Sequence, residues 1–366
     1  MATLGPNDLK QWALPAGWDA ARLENLRLAS GENYEQLIND IADGLAMANG
    51  SLMADPIISS LCTVSDEMTV EYRTGVSNGF EDHTEYSLPD AKRAHTTGHM
   101  LEPISKDRAL GWTWDFLRKA RRSQIDADIA SAMQDLKDVF QKTVLTRVFK
   151  STYTSVGSSG KSMPVADGGT ADSTYVPPNY PERADAFTYT HTHLGRLNGI
   201  TQANLETQVA HLWEHGFDAP YDLLVAQADL SSWSNTTNVT GWVKRADSLI
   251  KYGIQTDLAT VDPSYIAVIE TSTYGPVRVR ATARVPTAYW AVYKSFGPGD
   301  SRNPIRLAPS PNFGLGAVLL AGDHIRQFPL EYAVLFLEMF VGIQDRVSIV
   351  LTENDTSGSY ATPTIS

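Results

Sequence analysis

The sequence predicts an α+β fold of several lobes, and three observations carry that expectation. From Trp112 to Val156 there is no glycine or proline, and one apolar stripe at helical spacing runs through the stretch. Elsewhere, short segments of strand character alternate with Gly, Asn and Pro. Between these regimes, a one-sided helix starting near Leu205 stops at Gly216 and gives way to the strand-like Leu223-Leu224-Val225-Ala226. At 366 residues the chain suits two or three lobes of ordinary size. Its 42% hydrophobic and 20% charged residues are those of a folded protein.

Residues 1–65 read as an arm followed by a helix. Gly5, Pro6, Pro15 and Gly17 make the beginning irregular, and Tyr34, Leu37, Ile38, Ile41 and Leu45 then recur at helical spacing, with Gly44 and Gly50 near the helix end. Pro6, Asn7, Asp8 and Lys10 stand where a signal peptide needs an apolar core, so export by that route is not expected. Apolar runs such as Ala317–Ala321 fall far short of the roughly 20 residues of a spanning helix, and no membrane partner is expected. The single cysteine, Cys62, cannot form an internal disulfide and reads as a small buried hydrophobe.

Residues 66–110 read as a long hairpin. Met68-Thr69-Val70-Glu71-Tyr72-Arg73 alternates with period two, and Asn78-Gly79 is a turn signal. A polar tip carries Glu81, Asp82, Glu85 and Asp90, and the return leg carries Lys92, Arg93, His95 and His99. Unpaired edges on so charged and weakly apolar a hairpin make sense when a neighbour covers them.

In the long helical stretch, Ile125, Ile129, Met133, Leu136, Phe140, Val144 and Val148 form the stripe. A helix over Ser123–Lys150 would be about 40 Å long. Residues 155–181, rich in Gly, Ser and Pro, read as a flexible or extended connector. Within it, Gly157-Ser158-Ser159-Gly160-Lys161-Ser162 has two residues between the glycines where a phosphate loop has four, and its flanks are not a strand and a helix. Residues 196–325 read as a compact lobe. Thr201 caps its helix, whose core face is Leu205, Val209, Leu212 and Trp213. Strands are expected at Leu223, Ile266–Ile269, Val277–Val279, Ala288–Val292, Leu315–Leu320, Tyr332–Phe340 and Val347–Leu351, with a loose tail from Asn354 to Ser366. Asn235 and Asn238 match the glycosylation acceptor pattern and are read as loop residues.

Candidate chemistry is sparse. His211-Leu212-Trp213-Glu214-His215 matches the zinc-protease pattern H-x-x-E-H, in which two histidines hold zinc and the glutamate acts as base. Helical stepping places Leu205, Val209, Leu212 and Trp213 on the buried side, so His211 and Glu214 are expected on a solvated face with His215 at its flank. His191 and His193 form a second pair, because alternate strand residues share a face. The simpler account there is a strand Phe187–His191 packed through Phe187 and Tyr189, and spacing alone does not join this pair to His211 and His215. Cys62 has no activating partner and no carboxylate pair sits in a recognisable catalytic context, so no catalysis and no cofactor are expected. The net charge of −12 argues against nucleic-acid binding by phosphate neutralisation.

The order of these pieces resembles the major capsid protein of tailed bacteriophages, with the Hong Kong 97-type fold that encapsulin shells share. The acidic loop and long helix between Asp66 and Lys150 carry the resemblance. So do Gly195-Arg196-Leu197-Asn198-Gly199 leading to the Thr201 helix and its Gly216 stop, the run to Asp222, and the closing Gly342–Leu351. The resemblance implies an N-terminal arm (1–65), an extended loop (66–110), a peripheral domain with a spine helix (111–195 and 326–366) and an axial domain (196–325). It implies self-assembly into pentamers and hexamers of an icosahedral head around double-stranded DNA, formed in the host cytoplasm, with separate scaffold, portal and decoration proteins. An encapsulin-type compartment is the runner-up, and a zinc hydrolase using the His211 helix stands third. Some relatives carry a long scaffolding pre-segment; only Met1–Ser65 precede the loop here, so a separate scaffold is expected. Some relatives cross-link a loop lysine; nothing around Lys92 matches, so a non-covalent shell is expected. Contacts between subunits are then expected from Glu81, Asp82, Glu85, Asp90, Lys92 and Arg93 on the loop, and from the basic cluster Arg118, Arg121 and Arg122.

Overall fold

The apolar stripe does form one long helix, Arg122–Val148, with Ile125, Ala132, Leu136, Phe140, Val144 and Val148 buried along it. The computed structural model describes residues 31, 34–75, 82–85, 95–158, 160–245, 265–321, 330–356 and 358–365. In chain order the first elements are α1 (Tyr34–Leu52), α2 (Pro56–Leu61), β1 (Cys62–Val64), β2 (Thr69–Thr74), β3 (His95–Met100), β4 (Glu102–Thr113), α3 (Trp114–Lys119) and the long α4 (Arg122–Val148). Then come β5 (Thr154–Val156), β6 (Gly160–Ser162), β7 (Leu194–Leu197), α5 (Gln202–Glu214), β8 (Tyr221–Ala226), α6 (Leu230–Trp233) and β9 (Trp242–Lys244). The chain closes with β10 (Ala267–Glu270), β11 (Pro276–Thr282), β12 (Tyr289–Tyr293), β13 (Ile305–Pro309), β14 (Ala317–Ala321), β15 (Leu330–Ile343) and β16 (Ile349–Asn354).

The chain divides into two compact units. The smaller comprises residues 1–52, 105–139 and 312–338. In it α1 buries Leu37, Ile41, Leu45, Ala48 and Leu52, and the helix runs past both Gly44 and Gly50. The Asn49 amide donates to the Ala317 carbonyl at 2.8 Å and accepts from the Ala317 amide at 3.0 Å, so it pairs with β14 as a strand neighbour would. Gly316 makes this possible: it sits at φ +115°, and a Cβ there would stand 2.4 Å from Asn49 Oδ1. On its other side β14 pairs antiparallel with Ala333–Leu337.

The larger unit comprises residues 53–104, 140–311 and 339–366. Its centre is a seven-stranded mixed sheet in the order β7-β16-β12-β8-β11-β10-β9. The central strand β8 is buried at every residue, which explains its unbroken apolar run. On one face α5 packs Leu205, Val209 and Leu212 against Tyr221, Leu223, Val225, Trp290 and Val350. Trp233 meets Trp290 edge to face at 5.3 Å. α5 starts where predicted, with Thr201 Oγ1 accepting from the Asn204 amide. It stops at Gly216, whose φ of +86° lets the Phe217 amide turn back onto the Leu212 carbonyl. The buried Asp222 accepts from Arg280 Nε at 2.8 Å and from Arg278 Nη2 at 2.5 Å. Cys62 is buried, which pushes its thiol pKa up.

The predicted hairpin is present: β2 and β3 pair antiparallel from Thr69↔Met100 to Thr74↔His95. Of the two readings of the connector 155–181, flexible or extended, the flexible one fails, for Ser162, Met163, Val165, Ala166 and Asp167 are buried. Two buried arginines hold it by its carbonyls. Arg147 donates to Met163, while Arg346 donates to Pro164 at 2.8 Å, faces Asp167 at 3.5 Å and lies over the Tyr175 ring at 4.2 Å. Within it, the phosphate-loop fragment is the hairpin β5–β6. The tail also docks: Tyr360 donates to the Phe149 carbonyl at 3.0 Å and Ile365 is buried. Among the described residues no helix is long and apolar enough to cross a membrane.

Candidate functional site

Phe187–His191 is not the straight strand expected. The His191 amide turns back to the Thr188 carbonyl at 3.1 Å, Tyr189 is half exposed, and Phe187 folds onto the rings of His191 and His215 at 4.3 and 4.7 Å. Beyond the turn, the His193 amide donates to Ala166 at 2.7 Å and its carbonyl accepts from Leu351 at 2.9 Å. His193 is therefore held in the interior, wholly buried beside β16.

The face of α5 carrying His211 and His215 is not solvated either, because this bent segment covers it. Both histidines are partly buried, and His211 Nδ1 is a buried atom without a hydrogen-bond partner. The structure thus joins two pairs that spacing kept apart. Nε2 of His193 lies 3.1 Å from Nε2 of His191 and 3.0 Å from Nε2 of His215, and the third side of the triangle is 3.2 Å. The His211 ring centre is 5.4 Å from that of His191 and 5.6 Å from that of His193. One nitrogen each of His191, His193 and His211 lies within 4.8 Å of the others.

Backbone carbonyls set the protons on two of these rings. His193 Nδ1 donates to Ile349 at 3.0 Å and His215 Nδ1 donates to Pro178 at 2.5 Å. Their Nε2 atoms therefore carry bare lone pairs, 3.0 Å apart. Burial, together with the neighbouring rings, pulls the His191 pKa down to about 3 and that of His193 well below its ordinary value; burial pulls His215 down to about 4. The rings are neutral at pH 7, the form in which imidazole binds a metal. Glu214 is half-buried and burial raises its pKa, but it is not among the groups that converge here.

The predicted contact residues lie elsewhere. Glu81, Asp90, Lys92 and Arg93 fall outside the described residues, while Asp82 and Glu85 are exposed. Arg118 is on α3, its side chain likewise outside the description. Arg121 is exposed just before α4. Arg122 is already engaged within its own unit, 2.6 Å from Asp40 and 2.7 Å from Asp126.

No protein-family model and no curated protein matches the chain. Among solved structures, a chain from Mycobacterium phage Patience is similar at a TM-score of 0.66 and 18% identity, over 92% of this chain and 93% of that one. The capsid of a native GTA particle gives 0.46 at 13% identity, over 83% and 91%. The SrpI encapsulin of Synechococcus elongatus gives 0.41 at 10%, over 82% and 88%. The fold is α+β, of the Hong Kong 97 type.

Proposed function

We propose that this Hong Kong 97-type chain is a major capsid protein that assembles with copies of itself into pentamers and hexamers of an icosahedral phage head. The observation that carries the reading is the likeness to the phage Patience chain, which runs over 92% of this chain and 93% of that one. The geometry is in keeping. One face of the hairpin β2–β3, carrying Thr69, Glu71, Arg73, Thr96, Gly98 and Met100, is exposed, as a segment awaiting a neighbour should be. The four-domain division, the loop and basic-cluster contacts, the separate scaffold, portal and decoration proteins, and assembly in the host cytoplasm are parts of the same proposal. The net charge of −12 fits a wall that encloses DNA without gripping its phosphates.

The test is negative-stain electron microscopy with light scattering, on the chain expressed alone and together with the scaffold encoded beside it. Closed shells or capsomer rings are expected. A chain that stays monomeric in both preparations overturns the reading. Shells that enclose a co-expressed enzyme and no DNA replace the phage head with an encapsulin-type compartment.

A further inference from the structure

We propose that His191, His193, His211 and His215 form a structural site for one divalent transition-metal ion of the zinc class. In a tetrahedral site with metal–nitrogen distances of 2.0–2.1 Å, ligand nitrogens stand about 3.3 Å apart. The three Nε2 atoms here are separated by 3.0–3.2 Å, so they already outline one face of such a tetrahedron. Hydrogen bonding between His193 and His215 does not account for their closeness. His193 and His215 both spend their ring proton on a carbonyl, at Ile349 and Pro178. Their Nε2 lone pairs therefore face each other at 3.0 Å. A cation between them turns that repulsion into coordination. The same two carbonyl contacts are the outer hydrogen bonds that orient histidines in metal sites.

His211 completes the set. It lies one helical turn before His215, on the same side of α5, and its buried Nδ1 has no other partner. Four neutral imidazoles suit zinc and its neighbours in the transition series, whereas calcium and magnesium need oxygen ligands. Four protein ligands also leave no open position for water or substrate, which makes the ion a fastener and not a catalyst. It would tie the end of α5 to the bend at 188–193, and so to β16 through Ile349.

The experiment uses the untagged full-length chain, unassembled and stripped with a chelator, titrated with zinc chloride by calorimetry. Cobalt(II) absorption is recorded in parallel. One zinc per chain, retained through gel filtration, and the intense visible bands of tetrahedral cobalt are expected. The double variant H211Q/H215Q, checked for folding by circular dichroism, should bind zinc about 100-fold or more weakly. Failure of the wild type to hold one equivalent, or undiminished affinity in the folded variant, overturns the proposal. Should the variant not fold, the wild-type cobalt spectrum decides: tetrahedral intensity supports the site and an octahedral spectrum overturns it. Because the titration is done on unassembled chains, its result is independent of whether shells form.

Discussion

Strand β8 and the hairpin β2–β3 belong to the same unit and differ in almost every respect. All six residues of β8 are buried, and its single charge, Asp222, is matched by two arginines. In β3 only His99 is buried, and the hairpin shows its charges to water. The difference separates two tasks. A strand covered on both faces is held by its own chain and can be stable before anything assembles. A two-stranded hairpin covered on one face only is less firmly held. It gains most from a neighbouring subunit.

The largest effect should follow from damaging the covered strand. Asp222→Ala leaves Arg278 and Arg280 without their carboxylate, and breaking a buried ion pair from one side costs about 3–5 kcal/mol. Urea unfolding of the unassembled subunit measures this. A loss below about 1 kcal/mol would mean that water reaches the arginines and that the two regions differ less than their burial indicates. Next in size is removal of the proposed metal. An ion present at 100 times its dissociation constant adds about 2.7 kcal/mol, so a chelator should lower the unfolding temperature of the wild type and leave that of H211Q/H215Q unchanged.

His99 is where the hairpin meets the core, beside Tyr72 at 5.7 Å. Burial, then the charges of Arg346 and Arg147, pull its pKa down to about 3. The unfolded chain binds this proton near pH 6.5 and the folded chain only near pH 3. Stability is therefore intact above pH 6.5 and falls with acid by up to about 1.4 kcal/mol per pH unit across that window. His99→Gln should remove one proton's share of the slope in urea titrations between pH 6 and pH 4. An unchanged slope would place His99 in water, and the base of the hairpin with it.

What could be read in advance follows the same division. The α4 stripe, the Thr201 cap and the Gly216 stop were legible because each is decided by residues within a turn or two of one another. Strands β8, β10, β11, β12 and β16 of the large sheet were legible as apolar runs, while the short β7 and β9 were not, and neither was the order: β8 lies between β11 and β12, both far along the chain. The connector 155–181 read as flexible or extended because its Gly, Ser and Pro are turn formers. Its order is imposed by Arg147 and Arg346, whose bonds go to carbonyls and carry no mark in the sequence. The histidines were visible as two pairs with the right local spacings. Their union depends on the bend at 188–191 and on the carbonyls of Pro178 and Ile349, which no pattern around either pair encodes.

The smallest effect per contact, and the one that bears most directly on the proposed assembly, concerns the exposed tip. Asp82 and Glu85 are in water, so Asp82→Asn with Glu85→Gln should move subunit stability by no more than about 0.5 kcal/mol. An exposed ion pair between subunits adds only about 0–1 kcal/mol and is screened by salt. A shell repeats each such contact in every subunit, so a loss too small to register in one chain accumulates across the lattice. Shell yield, followed by light scattering, should fall with rising salt for the wild type. For the double variant it should start lower and vary less. Equal yields for both proteins from low to high salt would show that the tip makes no charged contact, and the neighbour would then have to hold the hairpin through its backbone edges or apolar surface.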